Sequence, residues 1–336
     1  MVYHESTIFY IMPIWICSHP DNTSHRKGWK TMRDVLYQKT GLTVSRMAQD
    51  LMSRMEGERI PSISEYMERF HVSRGTVQNS LGYLKDRQAV TLVSRGHLGS
   101  FIEKLDYHKL QESSLFKELL GSMPLPYSLT YQGLATALYD LLAPFSVNLV
   151  FARGAEDRFQ LVDSGVCQFT ACSRHAAEQA IQNQADIEIA VDLGPGTYLS
   201  RHVLVLRDPD VKGIESGMRV AYDRTSLDQR HITEQVTQGI KGLQFVELRA
   251  HQTVGAIRSN LIDAGVWNLD DILDSGYVGL HIEELQTDFE EDFSSAVLVV
   301  KAGERSLCQL LRRYVEPDRV RKTQSDVRTG KCPANY

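Results

Sequence analysis

Residues 60–102, IPSISEYMERFHVSRGTVQNSLGYLKDRQAVTLVSRGHLGSFI, constrain this chain more than any other stretch. Ser62, Ile63, Ser64 and Glu65 follow Pro61 as a capping box, which starts a helix. Ile63, Tyr66, Met67 and Phe70 then fall at i, i+3, i+4 and i+7, one apolar face. His71 and Val72 make a tight connection, and Ser73 can cap a second helix whose inner face is Val77, Leu81 and Leu84. The outer face of that helix carries Arg74, Thr76, Gln78 and Asn79, all able to bond phosphates or base edges. Two β-rich runs follow, Ala89 to Val93 and Ser100 to Ile102. Between them Arg95, Gly96 and Gly99 supply a hairpin tip with a cation. Two short helices and a β-wing are the layout of a winged helix-turn-helix.

The segment from Val72 to Val77 and the wing Arg95-Gly96…Gly99-Ser100-Phe101 resemble the DNA-binding domain of the GntR class of bacterial repressors. That resemblance implies DNA contacts at Ser73, Arg74 and Thr76, with Arg95 and Gly96 in the wing. Two departures bear on which DNA sequence would be read. Gln78 stands where the class commonly has arginine, and His97-Leu98 fill a wing tip that is usually smaller. A compact helical subdomain with a hairpin and no ligand is the plainer alternative. Charge does little to separate the two. Over 70–102 Arg74, Lys85, Arg87 and Arg95 face Asp86 alone, a mild basic footprint.

A chain of 336 residues has room for two or three domains. Its net charge of −5 hides an asymmetry. Residues 1–104 carry 14 basic and 10 acidic side chains, which leaves 23 basic against 32 acidic for the remainder. An acidic module of that size is a poor nucleic-acid partner in its own right. Five cysteines, Cys17, Cys167, Cys172, Cys308 and Cys332, have no Cys-x-x-Cys spacing. They suit reduced thiols in a cytoplasmic protein better than a metal site or disulfide framework. The apolar run from Ile8 to Cys17 is interrupted by Pro13 and is too short to span a bilayer, so no membrane partner is expected. Residues 1–40 are expected to be an extension outside the fold, with Met32 a plausible natural start. A helix from Leu42 to Met55 then opens a winged domain at 41–102, followed by a linker at 103–118.

From Leu119 onward short β-rich runs alternate with helical stretches: 119–123 and 130–142, 147–152 and 156–166, 168–173 and 175–183, then 187–193. A second set follows, with strands at 203–206, 219–222, 243–248 and 265–267 and helices at 227–238 and 252–263. A strand at 296–300 and a helix at 305–315 close the series. Such alternation predicts a mostly parallel sheet covered by helices. Two sets joined near 190–206 predict an α/β module of two lobes with a cleft, spanning 119–320 and leaving a tail at 321–336. The acidic run between Glu283 and Asp292 is expected to be a solvated loop.

Ligands of open α/β sheets collect at the carboxyl ends of strands and at helix amino termini. That rule selects Pro124 and Tyr127 after the first strand, Arg153 after the second, and Ser173 and Arg174 after the third. It also selects Tyr198 in the crossover, Ser226 at a capping box, and Asn268 at the end of a strand. Two strand-end arginines in an acidic module suit an anionic ligand, although surface salt bridging competes for either one singly. There is no Walker loop, Gly-x-Ser-x-Gly or His-Glu-x-x-His. His175, His202, His231, His251 and His281 are scattered, so neither a catalytic nor a metal site is assigned and no cofactor is expected.

Met123-Pro124-Leu125-Pro126-Tyr127, Ala152-Arg153-Gly154-Ala155, Leu193 to Tyr198 and Val266-Trp267-Asn268 resemble the carboxy-terminal domain of the YhfZ family. That family pairs the domain with a GntR-like winged helix, and the resemblance covers residues 42–320. It implies a type II periplasmic-binding-protein fold used as an effector sensor. The expected function is an effector-responsive transcription regulator acting as a homodimer on double-stranded operator DNA, with a small anionic metabolite in the cleft. The alternatives are a small-molecule-binding protein whose winged domain mediates dimerisation or protein contacts, and an enzyme working in the cleft.

Overall fold

The computed structural model describes residues 39–114, 118–285 and 290–336. The expected extension at 1–40, with its start at Met32, lies almost wholly outside the described residues.

The chain enters through α1 (Lys39–Met52), α2 (Ile63–Phe70) and α3 (Arg74–Asp86). The capping box at α2 forms as expected: the Ser62 side chain accepts from the Glu65 N–H, and the Glu65 carboxylate accepts from the Ser62 N–H. His71 in the left-handed region, φ 54°, ends α2 and turns the chain into α3. Strands β1 (Val90–Ser94) and β2 (Ser100–Leu105) form the antiparallel wing, and Arg59 adds a bridge to Phe101 on its edge. Asp50 of α1 ties the helices together below the surface. It accepts from Arg54 at 2.9 and 3.1 Å, from the Tyr66 hydroxyl at 2.7 Å, and from Arg69.

After the wing comes α4 (Tyr107–Glu112), then lobe I: β3 (Leu119–Met123), α5 (Leu129–Leu141), β4 (Val147–Phe151), α6 (Ala155–Asp163), β5 (Phe169–Ser173), α7 (Arg174–Gln182) and β6 (Ile187–Asp192). Lobe II holds β7 (His202–Leu206), β8 (Arg219–Tyr222), α8 (Leu227–Thr237), β9 (Gln244–Glu247), α9 (Thr253–Arg258), β10 (Ala264–Asn268), α10 (Leu269–Asp274) and β11 (His281–Glu284). The chain returns to lobe I with α11 (Glu290–Ser294), β12 (Ala296–Lys301), α12 (Arg305–Tyr314) and α13 (Pro317–Arg328).

Each lobe is one five-stranded sheet. Lobe I has the order β4-β3-β5-β12-β6 and lobe II the order β11-β7-β10-β8-β9. In lobe I, β3, β4 and β5 are parallel, and β12 runs antiparallel between β5 and β6. In lobe II, β7 is antiparallel to both its neighbours. The mostly parallel expectation holds except where a returning strand is inserted. An insertion from the far lobe places that antiparallel strand and creates the second interlobe connection. Strand order and double crossing together define the type II periplasmic-binding-protein fold behind an amino-terminal helix-turn-helix.

Three expected boundaries change. The described part of the segment at 103–118 is not a linker: β2 continues to Leu105, and α4 buries Tyr107, Leu110 and Gln111, while 115–117 lie outside the described residues. Tyr107 donates to the Arg54 carbonyl at 3.2 Å and meets the Tyr314 ring edge-on at 6.3 Å, and that ring in turn meets Phe145 at 4.6 Å. With α12 also packed on α1, the core runs without a break from Met47 and Leu51 of the head into Leu134 and Leu311 of lobe I. The stretch at 321–336 is not a tail: α13 packs along α5 and buries Val320, Gln324 and Val327. Sparse apolar residues conceal it in the sequence, because Gly133 lets the two backbones approach; a Cβ there would lie 2.7 Å from the Gln324 Cα. Finally, of the acidic run expected to be a loop, Glu283 and Glu284 belong to edge strand β11, Glu290, Glu291 and Asp292 belong to α11, and 286–289 lie outside the described residues.

Candidate functional site

Two regions carry unengaged polar chemistry. The first is the outer face of α3. Ser73 caps this helix, its hydroxyl accepting from the Thr76 N–H at 3.3 Å and lying 2.9 Å from the Thr76 hydroxyl. Capping by Ser73 therefore fixes where α3 begins and how Arg74 leaves it. Arg74, Gln78 and Asn79 are exposed and have no partner among the described residues. Arg95 lies over the Phe101 ring at 4.5 Å, which props its guanidinium on the wing. Gly96 takes φ 59° in the turn beyond it. All seven head residues selected from sequence thus fall on α3, its cap or the wing tip.

The second region is a cavity of about 110 Å³ between the lobes. Of the eight cleft residues selected from sequence, Pro124, Tyr127, Arg153, Tyr198, Ser226 and Asn268 line it. Ser173 and Arg174 do not. Arg174 turns outward to Asp192 at 2.7 Å and Asp292 at 3.0 Å, the salt-bridge fate open to any strand-end arginine. Ser173 is fully buried and caps α7 through the Ala176 N–H at 3.1 Å.

Strand ends set the rest of the wall. Gly154, at φ 70°, opens α6 and approaches the Thr225 carbonyl of lobe II so closely that a Cβ would sit 3.1 Å from it. One turn into α6, Arg158 is 2% exposed and donates through one terminal nitrogen to the Ala152 carbonyl at 3.0 Å. Ser226 caps α8 through the Gln229 N–H at 3.4 Å and so directs Asp228 and Gln229 inward. Asn268 joins Gln229 at 3.1 Å and touches Asp271 at 3.5 Å. Tyr131 and Tyr198 cross edge-on at 5.1 Å. Across the mouth Tyr127 of lobe I stacks on His251 of lobe II, centroids 5.7 Å apart and planes 13° from parallel.

Electrostatics divide the cavity. At the rim stand two exposed guanidiniums. Arg153 has no partner among the described residues, whereas Arg249 bonds the Thr225 hydroxyl. Asp223 beside them is fully committed, accepting from Thr225 at 2.9 and 2.7 Å and from the Ala250 N–H at 2.8 Å. Inside, burial pushes the Asp228 carboxyl up to about 7 despite the opposing influence of the Ser173 hydroxyl and the Arg158 charge. Burial, with Asp270 and Asp274 adding repulsion, pushes Asp271 up to about 7 as well. His202 is driven down to about 3 by burial and by His175, so it stays neutral. Among the described residues no group of His, Cys, Asp and Glu side chains could hold a metal ion, and no helix is long and apolar enough to cross a membrane.

Sequence reasoning missed Arg158, Asp228, Gln229 and Asp271. Each lies two to four residues past a helix cap, beyond the strand-end positions that the topological rule inspects. Helical spacing from the caps at Ser226 and Asn268 is the signal that could have reached three of them.

A helix-turn-helix head built onto a two-lobed, binding-protein-like α/β module is the class of protein these features define. Residues 106–336 match the family described as YhfZ C-terminal domain, and residues 55–102 match a helix-turn-helix domain. The chain belongs to the YhfZ family. It is 28% identical to the "Uncharacterized protein YhfZ" of Escherichia coli (strain K12) over 306 residues, 91% of this chain and all of that protein. It is similar to the crystal structure of YhfZ from Shigella flexneri at 27% identity and a TM-score of 0.57, over 68% of this chain and 97% of that one. The periplasmic aliphatic sulphonate binding protein SsuA from Escherichia coli also superposes at 14% identity and a TM-score of 0.48, over 64% of this chain and 75% of that one.

Proposed function

We propose that this protein is a transcription regulator that binds operator DNA through α3 and the wing and responds to a small anionic metabolite held between its lobes. The observation that carries this reading is the pairing of two unengaged surfaces on one continuous core. Arg74, Gln78 and Asn79 stand free on a capped helix, and a polar cavity lies between lobes that share that core. Recognition helices of this kind present amino-terminal side chains to base edges in the major groove, and symmetric dimers read paired half-sites. On that view the protein works in the cytoplasm as a homodimer.

Ligand binding favours the closed arrangement of the lobes in proportion to its differential affinity for closed over open. Because α1, α4 and α12 pack the head onto lobe I, closure moves lobe II against a head–lobe I body rather than swinging the head on a tether. A second copy engaged through lobe II would thereby have its recognition helix moved relative to the first. We read the cleft as a binding site rather than a reaction centre, in keeping with the binding-protein-like fold of the two lobes.

The test is a titration of fluorescent duplex, selected from a random library, against wild type and Arg153→Ala. Metabolite extract fractions are added at fixed salt. Arg153→Ala is expected to bind DNA as wild type does while losing its response to the active fraction. A normal response from Arg153→Ala would reject the cleft as the sensing site.

A further inference from the structure

The interior of the interlobe cavity asks for something the rim does not. Four buried polar atoms on residues lining it have no hydrogen-bond partner: Asp228 Oδ1, Asp271 Oδ1, Gln229 Oε1 and Arg158 Nε. Their residues are 7%, 3%, 5% and 2% exposed. A buried polar atom left without a partner keeps its full desolvation cost, so four on residues lining one small space mark a place built for an occupant. Three of the four are acceptors and two of those belong to carboxyl groups. An anion alone would leave all three unsatisfied and repel both carboxylates. A primary ammonium, with three N–H donors and a positive charge, is the group whose chemistry matches three acceptors of which two are carboxyl oxygens.

Resting on the reading of this cleft as the ligand site, we propose that the ligand is a small amino compound with an anionic group. Its ammonium lies against Asp228, Asp271 and Gln229, and its carboxylate or phosphate faces Arg153 and Arg249 at the rim. Arg158, which also lines the cavity, supplies one further donor through its unpartnered Nε to a ligand oxygen. Size sets a limit: a dry cavity of about 150 Å³ takes benzene. The space of about 110 Å³ here suits a compact molecule, not a peptide or nucleotide.

The surroundings of the two carboxyls support the assignment. Arg158 from α6, Cys172 from β5 and Tyr198 from the interlobe crossing face Asp228. Tyr131 from α5 and Asp270, Asp274 and Asn268 around α10 face Asp271. One guanidinium among these groups does not neutralise two carboxyls, and both carboxyls titrate near 7 when the cavity is empty. A bound ammonium would hold both ionised.

The experiment compares molecules sharing one carbon skeleton on the full chain at pH 7.5, by thermal shift and calorimetry. The probes are the common α-amino acids and phosphoethanolamine, each set against the analogue with hydroxyl in place of the amine and the analogue without the anionic group. At least one zwitterion is expected to bind, with affinity falling at least tenfold when the amine becomes a hydroxyl and at least tenfold when the anion is removed. Whether the best binder is an amino acid or phosphoethanolamine identifies the anionic end. Asp228→Asn is expected to weaken that binder at least tenfold while raising the melting temperature of the empty protein at pH 8. A merely structural role for Asp228 would lower both. Tighter binding of a hydroxy acid than of its amino counterpart would overturn the ammonium assignment and leave the cleft as the ligand site. No binding by any probe would overturn the proposal, and the response of the protein to extract fractions would then decide separately whether the cleft senses anything.

Discussion

At the scale of single residues, the sequence separates two kinds of arginine poorly and the structure separates them well. Arg153 and Arg174 both follow strands, yet one lines the cavity unpartnered and the other is spent on Asp192 and Asp292. Acidic partners 18 and 118 residues away are not visible in local spacing. Arg174→Ala is therefore expected to leave ligand affinity within about twofold while Arg153→Ala lowers it, which calorimetry of the two variants checks. Asp228 and Asp271 give a pH signature. Their carboxyls titrate near 7 in the folded empty protein against 3.8 for the free group. The folded state thus binds more protons between those values, and stability falls as pH rises through them. The melting temperature of the empty protein is expected to drop between pH 4 and 7 and to be restored by ligand. Asp50 acts oppositely. Burial alone would raise it, but the bonds from Arg54, Tyr66 and Arg69 hold it below its ordinary value. Its contribution is lost only as pH falls below about 4, and Asp50→Ala is expected to destabilise the head by about 3 kcal/mol.

At the scale of elements, capping and periodicity were enough for the helix-turn-helix, the wing and nearly every strand of the two lobes. Ser62, Ser73 and Ser226 cap helices at the positions their spacing predicts. What stayed hidden depends on partners distant in sequence. Helix α4 looked polar because its buried face is only Tyr107, Leu110 and Gln111, and their companions come from α1 and α12. Helix α13 looked like a tail because its anchors are polar. Gln324 donates to the Thr130 and Thr197 carbonyls at 3.0 and 2.7 Å, and Arg321 bonds the Leu193 carbonyl. Those bonds hold the crossing that carries Gly194 and Gly196, so α13 braces the interlobe connection. Gly133→Ala is expected to force α13 away from α5 and lower the melting temperature, the backbone contact at 2.7 Å leaving no room for a methyl group. Gly154→Ala carries a different expectation. Its positive φ costs a side chain about 1–2 kcal/mol, and its neighbour is the opposite lobe. Ligand affinity should fall more than overall stability, as paired thermal and binding measurements would show.

At the scale of the whole molecule, the head is fused to lobe I through a continuous core, and the cavity lies where lobe II meets that body. This arrangement was the least legible part of the sequence. A polar stretch at 103–118 has the composition of a linker, and only the packing of Tyr107 against Tyr314 and of α12 against α1 shows otherwise. On the proposed function the consequence for regulation is specific: an occupant of the cleft would act on the head by positioning lobe II, and coupling of this kind is reciprocal. All of it presupposes that α3 reads DNA. The most direct measurement is equilibrium binding of a duplex selected from a random library, at fixed salt, by wild type and by Arg74→Ala. The account predicts saturable, salt-dependent binding that Arg74→Ala weakens by about 1–3 kcal/mol, as loss of a bidentate base contact would. Failure to select any duplex, or equal affinity in the two proteins, would contradict it.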